Sequence, residues 1–182
     1  MKRLLLISFL ILSFSSKAQA GDSLFLPFDT LHPMGWRSQF IHIRRSFGVY
    51  PEIQFINSPV IGISASLARL EEYEWSAMSK GVNLGFEIDP LQKFYGPKLT
   101  VWGDLAVLLF GVNGSLSTSY YFQEDRSAWF VRPEVGIGIP RLHLKYGFGF
   151  RVLGDDINGV QRHSLTLGYH FTIKDKELGW RK

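Results

Sequence analysis

The 182-residue chain contains no cysteine. That excludes disulfide staples and a lipid anchor on a thiol, and it is compatible with an oxidising envelope compartment in a protein that needs no staple. After its first residues the chain also lacks any apolar run of about 18 residues, the length a transmembrane helix requires. Block repeats, low-complexity linkers and long helical patterns are missing as well. If this chain enters a membrane, a closed β-structure is the remaining solution, because every backbone polar group must be paired inside hydrocarbon.

The first twenty residues read as a processing segment. Lys2 and Arg3 form a basic start, Leu4 to Phe14 an apolar run, and Ala18-Gln19-Ala20 a small-residue cleavage site. The apolar run is too short to span as a helix. Residues 1–20 are therefore expected to be a cleaved signal peptide, with Gly21 the mature N-terminus. Its removal takes away Lys2, Arg3 and Lys17 and no acid. Basic residues fall from 20 to 17 against 16 acids, so the formal charge of +4 shrinks to about +1 and gives no support to nucleic-acid binding. The remaining length suits one domain.

What the chain does have is alternation. In His163–Ile173, Leu165, Leu167, Tyr169, Phe171 and Ile173 share one face, while Ser164, Thr166, Gly168, His170 and Thr172 share the other. Such a period of two marks a β-strand, and the length crosses a bilayer when tilted. The pattern recurs over Leu142–Val152, Trp129–Ile139, Val112–Phe122, Pro97–Leu105, Gly81–Asp89 and Val60–Arg69. Between 40 and 56, Ile41, Ile43, Phe47, Val49, Ile53 and Phe55 keep one parity, as one bent strand or as two around Pro51. This makes about eight strands, and even numbers are usual in single-chain outer-membrane barrels. Pro140-Arg141 forms a tight turn. With both termini periplasmic, 123–127 and 153–162 are extracellular and 140–141 is a short periplasmic turn. The connection Glu71–Ser79 is long for that side unless the flanking strands extend into it.

The expected architecture is thus all-β: a closed, antiparallel, up-and-down transmembrane barrel. Its parts are a signal peptide (1–20), an N-terminal extension (21–38), the barrel (39–173) and a polar C-terminal tail (174–182). Alternation alone does not say which face is wet. A soluble periplasmic, lipocalin-like barrel would turn its apolar face inward around an apolar ligand. Small residues on the polar face, including Gly136, Gly138, Gly147, Gly149, Gly168, Ser115, Ser117 and Ser119, favour a narrow lumen instead. Tyr120, Phe122, Trp129 and Phe150 are expected as an aromatic girdle at the extracellular rim, and Tyr169 and Phe171 near the periplasmic rim.

The luminal face would carry Glu87, Lys98, Asp104, Arg132, Glu134, Lys145 and Arg151. If the Pro140-Arg141 turn sets the register, Gly136 faces Lys145 and Glu134 faces Gly147. Glu134 and Lys145 then become diagonal neighbours within reach of each other. Buried charges must pair or stay wet, so a charge network plugging the lumen is the favoured reading, against a selective solute path.

An enzyme is not expected. The histidines are His32, His42, His143, His163 and His170. His163 and Ser164 point to opposite faces, His170 and Ser164 are roughly 20 Å apart along a strand, and no Gly-x-Ser-x-Gly elbow occurs. Gly154-Asp155-Asp156-Ile157-Asn158-Gly159 lacks calcium-loop spacing and reads as a turn. No cofactor or metal is expected.

Tyr95-Gly96-Pro97-Lys98, Arg132-Pro133-Glu134-Val135-Gly136-Ile137-Gly138 and Tyr146-Gly147-Phe148, followed by a closing strand, resemble small uncharacterised outer-membrane β-barrel proteins of Bacteroidetes-type bacteria. The likeness covers roughly the last half of the chain. It implies the fold and the cell outer membrane as location, and it carries no catalytic residue. The chain departs from many such barrels by ending in polar Lys174–Lys182, not in a terminal aromatic; Phe171 could take that role internally. The expected partners are outer-membrane lipids and the barrel-assembly machinery, around a monomer with no nucleic acid. Its role would be structural or interaction-based, or a minor passive channel. A soluble ligand-binding barrel and a lipid-modifying enzyme are the alternatives.

Overall fold

The computed structural model describes residues 41–181 apart from 74, 75, 109, 140 and 161. The expected signal peptide and N-terminal extension lie outside the described residues, as does His32. The strands are β1 (Ile41–Phe55), β2 (Pro59–Glu72), β3 (Ser76–Asp89), β4 (Phe94–Val107), β5 (Phe110–Gln123), β6 (Arg126–Ile139), β7 (Leu142–Phe148), β8 (Phe150–Gly154), β9 (His163–Tyr169) and β10 (Phe171–Arg181). They form one antiparallel sheet. β7 and β8 are separated only by Gly149, and β9 and β10 only by His170, so ten segments make eight strand positions.

The ladder closes on itself. β1 pairs with β2 along one edge and with β9 and β10 along the other. Following the register from Gln54 through Thr166, Lys145, Gly136, Asn113, Asp104, Ser79 and Leu70 returns to β1 at Arg44, ten residues before the start. For eight strands, a displacement of ten residues at ordinary strand spacings implies a tilt of about 40° and a radius of about 8 Å. Side chains can fill an interior of that width.

The pairing explains the alternation. On β2 the pattern from Pro59 onward is exposed, buried, exposed, buried, with Ser64 and Ser66 buried and Ile61, Ile63 and Leu67 exposed. The same inversion runs round the ring: polar residues line the inside and apolar residues cover the outside. Ile63 is 60% exposed, Leu67 63% and Val135 66%, while Glu87 is 0% exposed and Arg132 1%.

Two residues separate β4 from β5, β5 from β6 and β6 from β7. Leu108, Glu124 and Arg141 have positive φ, as hairpin turns that match strand twist require. The Pro90–Lys93 turn is organised by Asp89, whose Oδ1 accepts hydrogen bonds from the Leu91 and Gln92 amides, both at 2.8 Å.

Several boundaries differ from those the periodicity predicts. The segment 41–55 is one strand that passes through Pro51. β2 and β3 extend to Glu72 and Ser76, leaving only 73–75 between them. Lys174–Arg181 is not a tail outside the sheet: β10 pairs with β1 down to Ile41↔Arg181. Two register shifts, at Ile43/Arg44 and Phe47/Gly48, let β10 absorb extra residues while following β1. Polar composition hid this strand from the hydrophobic pattern.

Candidate functional site

The interior is arranged in layers from one end of the ring to the other. At the end bearing the 56–58, 90–93 and 124–125 turns, Val60, Phe94, Tyr121, Ala128 and Phe130 form an apolar cluster. Ile157, from the segment between β8 and β9, is buried in it. Phe94 and Tyr121 meet edge to face at 4.9 Å. Gln123 holds this segment down: its Nε2 donates to Gln92 O at 2.7 Å, and its Oε1 accepts the Asn158 amide at 2.9 Å.

Below this cap lies a charged layer. Lys98 Nζ donates to Glu52 Oε1 at 2.7 Å and to Glu87 Oε1 at 2.9 Å. The second oxygen of Glu87 accepts the Tyr121 hydroxyl at 2.5 Å and the Ser119 hydroxyl at 3.3 Å. Arg132 Nη1 donates to Gln54 Oε1 at 3.0 Å, and Gln54 Nε2 donates to Thr166 Oγ1 at 3.2 Å. Glu134 faces Gly147 and Lys145 faces Gly136. Lys145 Nζ lies 3.1 Å from Glu134 Oε2, which also accepts the Ser115 hydroxyl at 2.7 Å. Glu52, Glu87 and Glu134 are thus matched by Lys98, Arg132 and Lys145, all six buried. Burial of so much charge is tolerable only because each group has an opposite charge or a directed hydrogen bond.

Further along is a small polar chamber lined by Tyr50, Asn83, Trp102, Asn113, His143 and His170. Its open space, about 20 Å³, suits water and little else. Trp102 Nε1 donates to Asn83 Oδ1 at 2.9 Å. At the mouth beyond, Arg44 pairs with Glu72 and with Asp175, and His42 with Glu72 and Glu177.

Of the seven charged residues expected on the luminal face, five join the buried layer. Asp104 lies outside the layer, 3.6 Å from His143, which lines the chamber. Arg151 does not join: it is exposed and pairs with Asp156. It keeps the luminal parity but stands opposite Phe130, level with the apolar cap and beyond the charged layer. The sequence reading missed Glu52, which has the luminal parity of β1 and supplies the second carboxylate to Lys98. It also missed Gln54, the partner of Arg132.

The expected girdle residues lie on the outside. Tyr120 faces Trp129 across β5 and β6, and Tyr120 and Phe122 contact at 4.9 Å. Phe122 continues to Tyr95 at 5.8 Å and Tyr95 to Phe86 at 6.1 Å, so the band at this end also includes two rings from β3 and β4. Phe150 packs on Phe148 at 4.8 Å. At the opposite end Tyr169 and Phe171 meet at 4.4 Å.

One Ser/His contact exists that the sequence did not reveal. His170 Nε2 lies 3.0 Å from Ser66 Oγ, brought together from β2 and the β9–β10 junction. Ser66 is 0% exposed, which leaves its hydroxyl unreachable for a substrate. His163 is exposed beside Tyr146, while Ser164 is buried on the other face. Among the described residues no group of three or more His, Cys, Asp or Glu could hold a metal ion. No family model, curated protein or solved structure matches this chain.

Proposed function

We propose that this chain is a small outer-membrane β-barrel that spans the bilayer with its ring of strands and acts through its outer surface and rims, as a structural or interaction element. The observation that carries this reading is the inversion of faces: the wall presents Ile, Leu, Val and Phe outward and buries Glu, Lys and Arg inward. In water each exposed aliphatic side chain forgoes about 1.5–3 kcal/mol of burial, and an apolar surface of this extent would aggregate. Hydrocarbon removes that cost. Aromatic rings at both ends of the outer face fit the two lipid–water interfaces.

A lipocalin-like role is disfavoured by the same inversion, because the interior offers charges and amides where an apolar ligand would need hydrocarbon. A passive channel is disfavoured by the apolar cap and the charged layer stacked beneath it. An enzyme is disfavoured by the burial of Ser66.

The deciding experiment is membrane fractionation combined with heat-modifiable gel mobility. The expected result is a detergent-requiring protein whose unheated form migrates differently from the boiled form. Release by osmotic shock without detergent would overturn the reading.

A further inference from the structure

The hairpin that joins β4 to β5 is apolar to its tip. Its sequence runs Leu105-Ala106-Val107-Leu108-Leu109-Phe110. Phe110, 75% exposed, and Leu108, 72% exposed, are the two most exposed large apolar side chains among the described residues. Leu105, Val107 and Val112 beside them are exposed as well. Among the described residues other than glycine, positive φ occurs at Lys93, Leu108, Glu124 and Arg141. Three of these are charged, and Leu108 alone is apolar. Its φ of +57° is a conformation that Gly or Asn adopts more readily, so this side chain does not serve the geometry of its own turn.

The hairpin also carries the apolar wall further than its neighbours do. On β2 the outer parity runs from Pro59 to Leu67 before it meets Arg69, about 20 Å along the ring axis at the strand rise and tilt given above. On β4 it runs from Tyr95 down to Leu108 without a charged residue, about 33 Å. The row Arg45–Arg69–Lys80 meets β4 at Gly103. Since the ladder climbs a little over one residue per strand, the level of Arg45 falls near Val107 on β4. At that level β1 to β3 already carry Arg45, Arg69 and Lys80, all engaged by other groups of the chain. The hairpin there is still hydrocarbon.

What covers the tip follows from its continuity with the wall. Val101, Leu105 and Val107 lead down to Leu108 as one exposed apolar strip with no polar break. The usual apolar band of an outer-membrane barrel is about 25 Å tall, so the strip on β4 is too tall and the one on β2 too short. A bilayer adapts to such a mismatch at a cost per ångström well below what one aliphatic side chain forgoes in water. We propose that Val107, Leu108 and Phe110 form an anchor immersed in the acyl chains of the periplasmic leaflet, and that the bilayer is thicker beside β4 and β5 than beside β1 and β2. This inference rests on the membrane-barrel reading.

The chain has no cysteine, so a single one can be labelled without a background. The full chain carrying Leu108→Cys, coupled to a nitrobenzoxadiazole fluorophore, is refolded into phosphatidylcholine vesicles. Glu124→Cys, in the turn at the opposite end of the ring, carries the same label as reference. Lipids with a nitroxide on the acyl chain quench from within the bilayer, and iodide on both sides quenches from water. The label at 108 should emit further to the blue than the label at 124. The nitroxide lipid should quench it several-fold more strongly, and iodide several-fold less. If Leu108→Cys gives no folded band, Phe110→Cys takes its place with the same expectation. Equal access of either quencher to the two labels, in a folded and inserted chain, would overturn the anchor and leave the barrel reading intact. Protection of the label at 108 from both quenchers would also overturn it, since a second copy of the chain would then cover the tip. A chain that stays soluble without detergent and does not insert would overturn the barrel reading and this inference with it.

Discussion

Lys98 Nζ sits 2.7 Å from Glu52 Oε1, although 46 positions separate the two residues, and both are shut off from water. The contact spans the ring from β4 to β1. Glu87 on β3 completes the group at 2.9 Å from the same ammonium. One cation therefore holds two carboxylates inside the lumen, and the Tyr121 and Ser119 hydroxyls complete the coordination of Glu87.

Lys98→Ala should be the most damaging single change in the interior. It leaves Glu52 and Glu87 facing each other without their shared counter-charge. Breaking a buried pair on one side costs about 3–5 kcal/mol. The expected outcome is a fall of that order in unfolding free energy, read from urea titration of the lipid-inserted protein. Lys98→Met combined with Glu52→Gln and Glu87→Gln should recover most of the loss, since removing all the charges leaves none uncompensated. A single variant as stable as the unaltered chain would mean that water reaches these carboxylates.

Glu134 and Lys145 form a separate pair, 3.1 Å apart, with Ser115 as third member. Glu134→Ala should lower the temperature at which the folded band disappears, because Lys145 loses its partner. The double variant with Lys145→Ala should be less damaged than the two single changes predict. A coupling of about 1–3 kcal/mol is expected for buried neighbours in one network. Additive losses would place Lys145 in contact with solvent instead.

How these pairs arise shows what the sequence could reveal. Alternation exposed both faces of the strands that carry apolar residues, because the side-chain period of two is written directly in residues such as Leu165, Thr166 and Leu167. The two-residue turn at 140–141 set the local register, so the Glu134–Lys145 diagonal was legible. The Lys98–Glu52 contact was not. It depends on the ten-residue displacement accumulated around the closed ring, which no single hairpin specifies. Arg151 was misassigned for another reason: it keeps its parity, opposite Phe130, but lies level with the apolar cap and beyond the charged layer, and parity alone does not give depth. Lys174–Arg181 escaped because a strand paired along one edge, beyond the apolar wall, has no need of alternating hydrophobics. The Ser66–His170 contact likewise joins strands far apart in sequence.

The stacked layers predict a closed pore. Inserted into a planar bilayer, the unaltered chain should give no steady ionic conductance. Tyr121→Ala with Arg132→Ala removes the largest side chains from two adjacent layers. This double variant should conduct measurably if it remains folded, as heat-modifiable mobility would report. Steady conductance by the unaltered chain would mean that the cap and charged layer move apart in the membrane.

The segment between β8 and β9 is fastened by Ile157, with Val160 packed partly buried beside it. Ile157 is buried among Val60, Phe94, Tyr121, Ala128 and Phe130, while Asp155 and Asp156 on its N-terminal side stay exposed. The Gln123 side chain adds a hydrogen bond to the Asn158 amide, and Gly159 turns the chain at φ +89°, where a side chain would be strained. Ile157→Ser removes a buried aliphatic group at the end of the ring and leaves the strand ladders untouched. The expected outcome is local release: cleavage near 155–162 by added protease should rise well above that of the unaltered chain, while the folded band persists on unheated gels. Local opening of this kind draws on the low-stability end of the structure. If the variant lost its folded band instead, the cap would be holding the ring together. If cleavage stayed unchanged, the hydrogen bonds of Gln123 would suffice to fasten the segment, and Gln123→Ala on the Ile157→Ser background should then release it.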